Sequence, residues 1–162
     1  METATIQKIT SYLQFKLGYE TFTFNVRYVI NILEMQKITS VPKTPEEVKG
    51  VINLRGKILP VIDLRLKMQM TSMEVTPNTC ILVLEVPNNE GTLHIGAMVD
   101  SVTGVYEFQD EQIKEPPTTD VTGGNFIKGI IQQENRLILV PDIKSLFTGR
   151  DIETIEHLNN NQ

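Results

Sequence analysis

The pattern of hydrophobic and polar positions along the chain predicts short β-strands joined by tight turns. Hydrophobic residues alternate with polar ones over residues 12–17 and again over residues 21–26. Three more pairs of apolar segments flank turn-forming residues at 53–56, 87–91 and 132–135, and each pair is predicted to form a hairpin. Many short strands with closely spaced turns are typical of a β-barrel or a β-sandwich.

Helical patterns are confined to short segments. Residues 44–47 have the composition of a helix cap and first turn, which predicts a short helix that ends near Gly50. Residues 142–158 follow a helical rhythm that Gly149 interrupts, and they predict a C-terminal helix. The β-branched run over residues 33–41 predicts a further strand.

An internal repeat suggests that the chain contains two copies of one unit. Residues 49–64 align without gaps with residues 128–143 at a constant offset of 79. At an offset of 73, a second match aligns Val26, Val29 and Ile32 with Val99, Val102 and Val105. Because both matches occur in the same order, the repeat predicts two similar small β-barrels. Chance similarity between apolar hairpins is the alternative interpretation.

Composition and charge exclude several classes of partner. The 162-residue chain has a net charge of −5, which counts against nucleic acids and anionic membrane surfaces. Its single cysteine, Cys80, cannot form an intramolecular disulfide, as is typical of a reducing compartment. No apolar run is long enough to span a bilayer, so direct membrane insertion is not expected. We therefore expect a cytoplasmic protein.

The residues capable of chemistry do not form a catalytic pattern. His94 and His157 lie on different predicted elements, and Cys80 begins an apolar strand in which it would pack as a buried side chain. Asp63 and Asp142 are equivalent in the repeat, so each is predicted to cap a short helix after its strand. We expect no enzymatic activity, no metal and no cofactor.

The segment Gly-Val-Ile-Asn-Leu-Arg-Gly-Lys-Ile-Leu-Pro-Val-Ile-Asp-Leu-Arg at residues 50–65 closely resembles the signature of the CheW family of chemotaxis coupling proteins. Residues 25–32, 99–102 and 133–136 support the resemblance, which extends over roughly residues 9–150. The resemblance implies a mainly β fold with two five-stranded SH3-like barrel lobes, short helices and a C-terminal helix. This expectation agrees with the internal repeat.

Domain boundaries follow from the same resemblance. The CheW-like domain is expected over residues 9–150. Its first lobe would cover roughly residues 20–70, closed by adjacent strands, and its second lobe roughly residues 78–143. Residues 1–8 and 159–162 are expected to be flexible tails.

By resemblance, the chain would be a non-enzymatic adaptor that couples methyl-accepting chemoreceptors to the chemotaxis histidine kinase. One lobe would bind the regulatory domain of the kinase, and the groove between the lobes would receive the tip of the receptor's cytoplasmic hairpin. The protein would then be recruited to receptor arrays at the inner face of the membrane. The alternatives are a related scaffold in surface motility or gene regulation, and a β-barrel enzyme or small-ligand sensor.

The resemblance also implies candidate residues for the receptor groove. These are Asn31, Gly50, Arg55, Gly56, Val99, Val102 and Val105. Arg55 would orient a neighbouring loop or contact a receptor carbonyl, and the alternative is a solvated turn residue. Many relatives carry a glutamate at the position of Asn31 that pairs with the arginine, and Glu34 is a possible substitute here.

Kinase contacts are expected on an exposed apolar face of the first barrel. The candidates, which lie in or beside its strands, are Ile38, Val41, Pro42 and Leu59. Ordinary core packing is the alternative role for each of these four side chains.

Overall fold

The computed structural model of the chain describes residues 8–72, 74–88, 91–116 and 126–147. Its elements in chain order are β1 (Ile9–Leu17), β2 (Glu20–Asn25), β3 (Val29–Glu34), β4 (Val48–Leu54), β5 (Lys57–Asp63), α1 (Leu64–Lys67), β6 (Cys80–Asn88), β7 (Gly91–Val99), β8 (Ser101–Gln109), β9 (Ile113–Lys114), β10 (Ile127–Gln133), β11 (Arg136–Pro141) and α2 (Ile143–Leu146). The mainly β fold class is therefore confirmed. No helix among the described residues is long and apolar enough to cross a membrane.

The strands form two curled sheets, which are the two SH3-like lobes. Lobe 1 has the strand order β3-β6-β7-β5-β4, and lobe 2 has the order β8-β1-β2-β11-β10-β9. The sixth strand of lobe 2, β9, pairs Lys114 with Ile130. In lobe 1 an isolated bridge between Thr39 and Val51 takes the equivalent place, because Val51 aligns with Ile130 in the repeat.

Each lobe incorporates a hairpin from the other half of the chain. The β1–β2 hairpin pairs with β8 and β11 in lobe 2, whereas the β6–β7 hairpin pairs with β3 and β5 in lobe 1. The β2 strand, at the start of residues 20–70, therefore lies in lobe 2. A hairpin is visible in the sequence because its strands are neighbours, but its pairing with a distant third strand leaves no local signal.

The register of the strands confirms the internal repeat. Two-residue turns at 55–56 and 134–135 join β4 to β5 and β10 to β11. Both hairpins also contain a β-bulge at the same place, between Val48 and Gly50 in lobe 1 and between Ile127 and Gly129 in lobe 2. Matching turns and matching bulges show that the two segments are copies of one supersecondary unit.

The two aspartates of the repeat act as predicted. Asp63 Oδ1 accepts a hydrogen bond from the backbone N–H of Arg65 at 3.0 Å, at the start of α1. Asp142 Oδ1 accepts one from the N–H of Lys144 at 3.2 Å, at the start of α2. Both carboxylates therefore satisfy backbone donors at a helix N-terminus.

The helix predicted over residues 44–47 is wrong, because this segment forms turns. The Val48 N–H donates to the Pro45 carbonyl at 3.0 Å. The Glu47 carbonyl accepts from the Asp63 N–H at 2.7 Å, so the segment is already engaged by the β4–β5 hairpin. This long-range pairing overrides the local helical preference.

Two other predicted elements are shorter or earlier than expected. The strand expected over residues 33–41 is β3, which begins at Val29 and ends at Glu34. The expected C-terminal helix is α2 in its described part, and its continuation from residue 148 lies outside the described residues, as does His157. The expected tails at residues 1–8 and 159–162 also lie outside them, Lys8 excepted.

One hydrophobic core joins the lobes. It packs Phe15 and Phe24 of lobe 2 against Leu82 and other aliphatic side chains of lobe 1, all of them nearly or fully buried. A smaller cluster inside lobe 2 contains Tyr12, Phe108, Ile131, Ile138 and Val140. Cys80 lies in the shared core, as predicted, and burial raises the pKa of its thiol.

Candidate partner-binding surfaces

The turn between β4 and β5 presents Arg55 at the surface. Arg55 and Gly56 have φ values of 54° and 83°, the left-handed pair that a two-residue type I′ hairpin turn requires. Asn53 Oδ1 accepts the Gly56 N–H at 2.9 Å and stabilises the turn. The Arg55 side chain is exposed, and no residue of the described part of the chain bonds to its guanidinium. Its five donors are therefore available to a partner.

Glu34 does not replace the missing glutamate partner of Arg55. Glu34 pairs with Cys80, and Cys80 pairs with Val99, which places Glu34 level along the strand direction with the end of β5 that carries Asp63. Arg55 follows the opposite end of that hairpin, so the strand rise separates the two residues by roughly 20 Å. The expectation that Glu34 takes the role of the missing glutamate is therefore wrong.

Asn31 and Gly50 occupy opposite edges of lobe 1. Asn31 is exposed on β3, where its Oδ1 accepts the N–H of Ile32 at 2.8 Å. Gly50 is buried in β4 at a φ of 144°, and a Cβ placed there would lie 2.0 Å from the Thr39 carbonyl oxygen. Gly50 thus permits close packing of the chain segment before β4 and offers no side-chain surface.

The three valines of the repeat differ in exposure. Val99 is fully buried, and Val102 is partly buried against the shared core. Val105 is 59% exposed on β8. Of these residues, only Val105 presents most of its side chain to a partner.

Two edge strands expose apolar side chains, of which only Val105 was predicted as a partner contact. The β3 edge exposes Ile30 and Ile32, and the β8 edge exposes Val105 together with Tyr106. Each strand has one neighbour in its sheet, β6 for β3 and β1 for β8. A signal existed in the repeat, because Ile32 aligns with Val105.

Both edges carry a β-bulge at the equivalent position. In β3 the register shifts between Val29 and Asn31, and in β8 it shifts opposite residues 14 and 15, leaving Thr103 outside the pairing. Thr103 and Ile30 are separated by the same offset of 73. Because a bulge discourages the addition of another strand, these edges are suited to side-chain packing against a helix.

The Arg55 end of lobe 1 also contains a cavity of about 350 Å³. Its lining residues are Leu54, Lys57, Ile58, Leu59, Val83, Thr92, Leu93 and His94. Leu59, a kinase-contact candidate, thus lines an open cavity although it is only 4% exposed. Ile38 and Val41 are partly buried and Pro42 is exposed, all three in the segment between β3 and β4.

The arrangement can be compared with known proteins. A family model described as the CheW-like domain matches residues 11–151. The chain belongs to the CheW-like domain family. A chemotaxis protein CheW from Klebsiella aerogenes is 30% identical over 162 residues, which cover 96% of this chain and 95% of that protein. The family resemblance of the residue 50–65 signature is thereby confirmed.

Two further CheW proteins agree with this assignment. The chemotaxis protein CheW from Bacillus subtilis is 32% identical over 150 residues, covering 90% of this chain and 91% of that protein. The crystal structure of the scaffolding protein TtCheW from Thermoanaerobacter tengcongensis matches with a TM-score of 0.79 at 27% identity. The match covers 89% of this chain and 96% of the crystallised one, so both lobes take part in the similarity.

Proposed function

We propose that this chain is a non-enzymatic adaptor that couples methyl-accepting chemoreceptors to the chemotaxis histidine kinase. The observation that carries the proposal is the CheW-like domain match over residues 11–151, together with the two-lobed fold. An adaptor needs separate surfaces for separate partners, and the chain has apolar edges on both lobes and a cavity at the end of lobe 1. It would act at receptor arrays on the inner face of the membrane.

The receptor's hairpin tip would pack between the β3 edge and the β8 edge. Its helices would place apolar side chains against Ile30, Ile32 and Val105, as in helix-in-groove recognition. Arg55 and Asn31 would supply polar contacts that set the register, and Gly56 would keep the turn narrow. Val99, which is buried, and Val102, which is partly buried, would support this surface from below, whereas Gly50 would act only through the packing of β4.

The regulatory domain of the kinase would bind at the cavity end of lobe 1. An apolar side chain of that domain would enter the cavity and contact Leu59 and Ile58, while Lys57 forms part of the rim. An anchor inserted into a pocket is the usual source of binding energy at such interfaces. Ile38, Val41 and Pro42 would extend this contact beside the pocket.

The experiment is a pair of titrations with the whole chain. Calorimetry against a chemoreceptor cytoplasmic fragment and against the kinase regulatory domain should yield two independent binding events. Simultaneous addition should give a ternary complex, because the two proposed surfaces are formed by different residues. Failure of the unaltered chain to bind either partner would overturn the coupling function.

A further inference from the structure

The chain passes between the lobes at two equivalent places. It leaves lobe 2 after β2 through the 3₁₀ turn Val26–Tyr28 and enters β3. It returns from lobe 1 after β7 through Asp100 and enters β8. Arg27 and Asp100 are related by the repeat offset of 73, so they occupy corresponding positions. We call these passages the β2–β3 and β7–β8 crossovers.

At the β7–β8 crossover, Asp100 connects both lobes. Its Oδ2 lies 3.6 Å from Nη1 of Arg65, which belongs to α1 of lobe 1. The same oxygen accepts the N–H of Gly18, in the β1–β2 turn of lobe 2. The Asp100 N–H donates to the carbonyl of Lys16 at 3.0 Å. One residue is therefore bonded to a lobe 1 cation and to the lobe 2 backbone.

This ion pair is shielded from water. The side chains of Arg65 and Asp100 are 20% and 24% exposed, whereas those of Lys8 and Asp110, which lie 3.9 Å apart within lobe 2, are 80% and 44% exposed. Partial burial strengthens a charge–charge interaction that already has a hydrogen-bonded carboxylate. The Arg65–Asp100 pair should consequently be the stronger of the two.

The β2–β3 crossover lacks the equivalent pair. The repeat places Arg27 where Asp100 would be and Lys144 where Arg65 would be, so two cations replace an ion pair. Neither side chain forms an ion pair with any residue that the structure describes. The Arg27 guanidinium instead lies 4.7 Å from the centre of the Tyr28 ring. An ion pair thus connects the lobes at the β7–β8 crossover, and no equivalent pair of described residues does so at the β2–β3 crossover.

We propose that Arg65 and Asp100 are positioning residues that set the orientation of the two lobes at the β7–β8 crossover. Asp100 directly precedes β8, so the pair fixes where the β8 edge begins relative to lobe 1. The β3 edge lies on lobe 1 and the β8 edge on lobe 2. The spacing of these two edges therefore depends on the Arg65–Asp100 ion pair. The consequence for receptor binding rests on the proposed function, but the geometric claim does not.

The geometric claim is tested by measuring the distance between the lobes. Spin labels would be attached at exposed Thr92 of lobe 1 and Gln132 of lobe 2, in a Cys80→Ala background. Asp100→Asn and Arg65→Gln should each broaden the distance distribution measured by pulsed electron paramagnetic resonance. The double variant should broaden it no further than one single variant, because both remove the same interaction.

Controls separate positioning from general destabilisation. Asp110→Asn removes the exposed ion pair within lobe 2 and should leave the distribution unchanged. Arg65→Lys keeps the charge and should restore a narrow distribution, which also provides a readout if Asp100→Asn fails to fold. An unchanged distribution in folded Asp100→Asn or folded Arg65→Gln would overturn the proposal.

Binding provides a second readout that distinguishes this inference from the proposed function. Asp100→Asn should weaken receptor-fragment binding by at least about fivefold while kinase-domain binding at the Leu59 cavity stays unchanged. Equal loss of both partners would contradict a role specific to the groove. If the unaltered chain bound no receptor fragment, the proposed function would fail, and the distance measurement would still decide the role of Arg65 and Asp100.

Discussion

Replacement of Arg55 by alanine should separate receptor binding from folding. The guanidinium is exposed and has no bonding partner among the described residues, so its removal breaks no contact of the folded chain. Alanine is also an L-residue, and it would adopt the φ of 54° at a similar strain. We therefore expect the free energy of unfolding to change by less than about 0.5 kcal/mol.

Arg55→Ala should instead reduce the free energy of receptor binding. A charged donor that bonds to a partner's carbonyl contributes about 1–3 kcal/mol, which corresponds to roughly 5- to 150-fold in Kd. Calorimetry with a receptor fragment would measure this change. The kinase regulatory domain should bind Arg55→Ala as tightly as it binds the unaltered chain, because the Leu59 cavity is unchanged. Thermal unfolding of the variant provides the control for folding.

A matched substitution exists at the equivalent turn of lobe 2. Glu134 has a φ of 55° and aligns with Arg55, so Glu134→Ala imposes the same backbone demand. It should leave receptor binding unchanged. Unaltered receptor affinity in Arg55→Ala would refute the groove assignment, and a large drop in Tm with loss of both partners would make Arg55 structural.

Three further outcomes are expected. Gly50→Ala should destabilise the fold by more than about 3 kcal/mol in urea unfolding, because the added Cβ would meet the Thr39 carbonyl. At Gly56 an added Cβ meets no atom within 4 Å, so Gly56→Ala should cost only about 1–2 kcal/mol, from the positive φ alone. Ile58→Asp should abolish kinase-domain binding in a pull-down while receptor binding persists, because Ile58 lines the same cavity as Leu59 but is only partly buried. Cys80 should react slowly with a thiol reagent until the chain unfolds, because burial raises the pKa of its thiol. The thiol ionises more readily in the unfolded chain, so the contribution of Cys80 to the free energy of unfolding should fall as the pH rises through the pKa of the folded state.

Hairpins and the repeat could be predicted from the sequence because their signals are local. Alternating residues mark β1 and β2, and the identical positions of residues 49–64 and 128–143 fall at the same places in two hairpins. The exchange of hairpins between lobes could not be predicted, since it depends on which distant strand each hairpin meets. The same limit explains the wrong helix at residues 44–47, where pairing between Glu47 and Asp63 decides the structure.

In the candidate surfaces, too, features set by local sequence could be predicted and features set by long-range pairing could not. The signature located Arg55 at an exposed turn, because turn residues and family resemblance are both readable in sequence. Exposure of Ile30 could not be predicted, because a strand rich in isoleucine predicts burial unless its position at a sheet edge is known, and only the alignment of Ile32 with Val105 in the repeat pointed to this edge. Likewise, the distance between Glu34 and Arg55 depends on strand register, which the spacing of two residues in the chain does not reveal.

The two copies of the repeat share a backbone but differ in surface chemistry. Their β-hairpin turns have the same length and matching φ values of 54° and 55° at the first turn residue, which is Arg55 in one and Glu134 in the other. Behind the first turn, Ile58 lines a cavity, whereas its equivalent, Leu137, is 56% exposed. A partner that recognises charge or an apolar pocket at one turn would therefore not fit the other. Because the duplicated backbones carry different side chains, a partner that binds beside Arg55 meets no equivalent site beside Glu134, and each partner is therefore expected to bind the chain once.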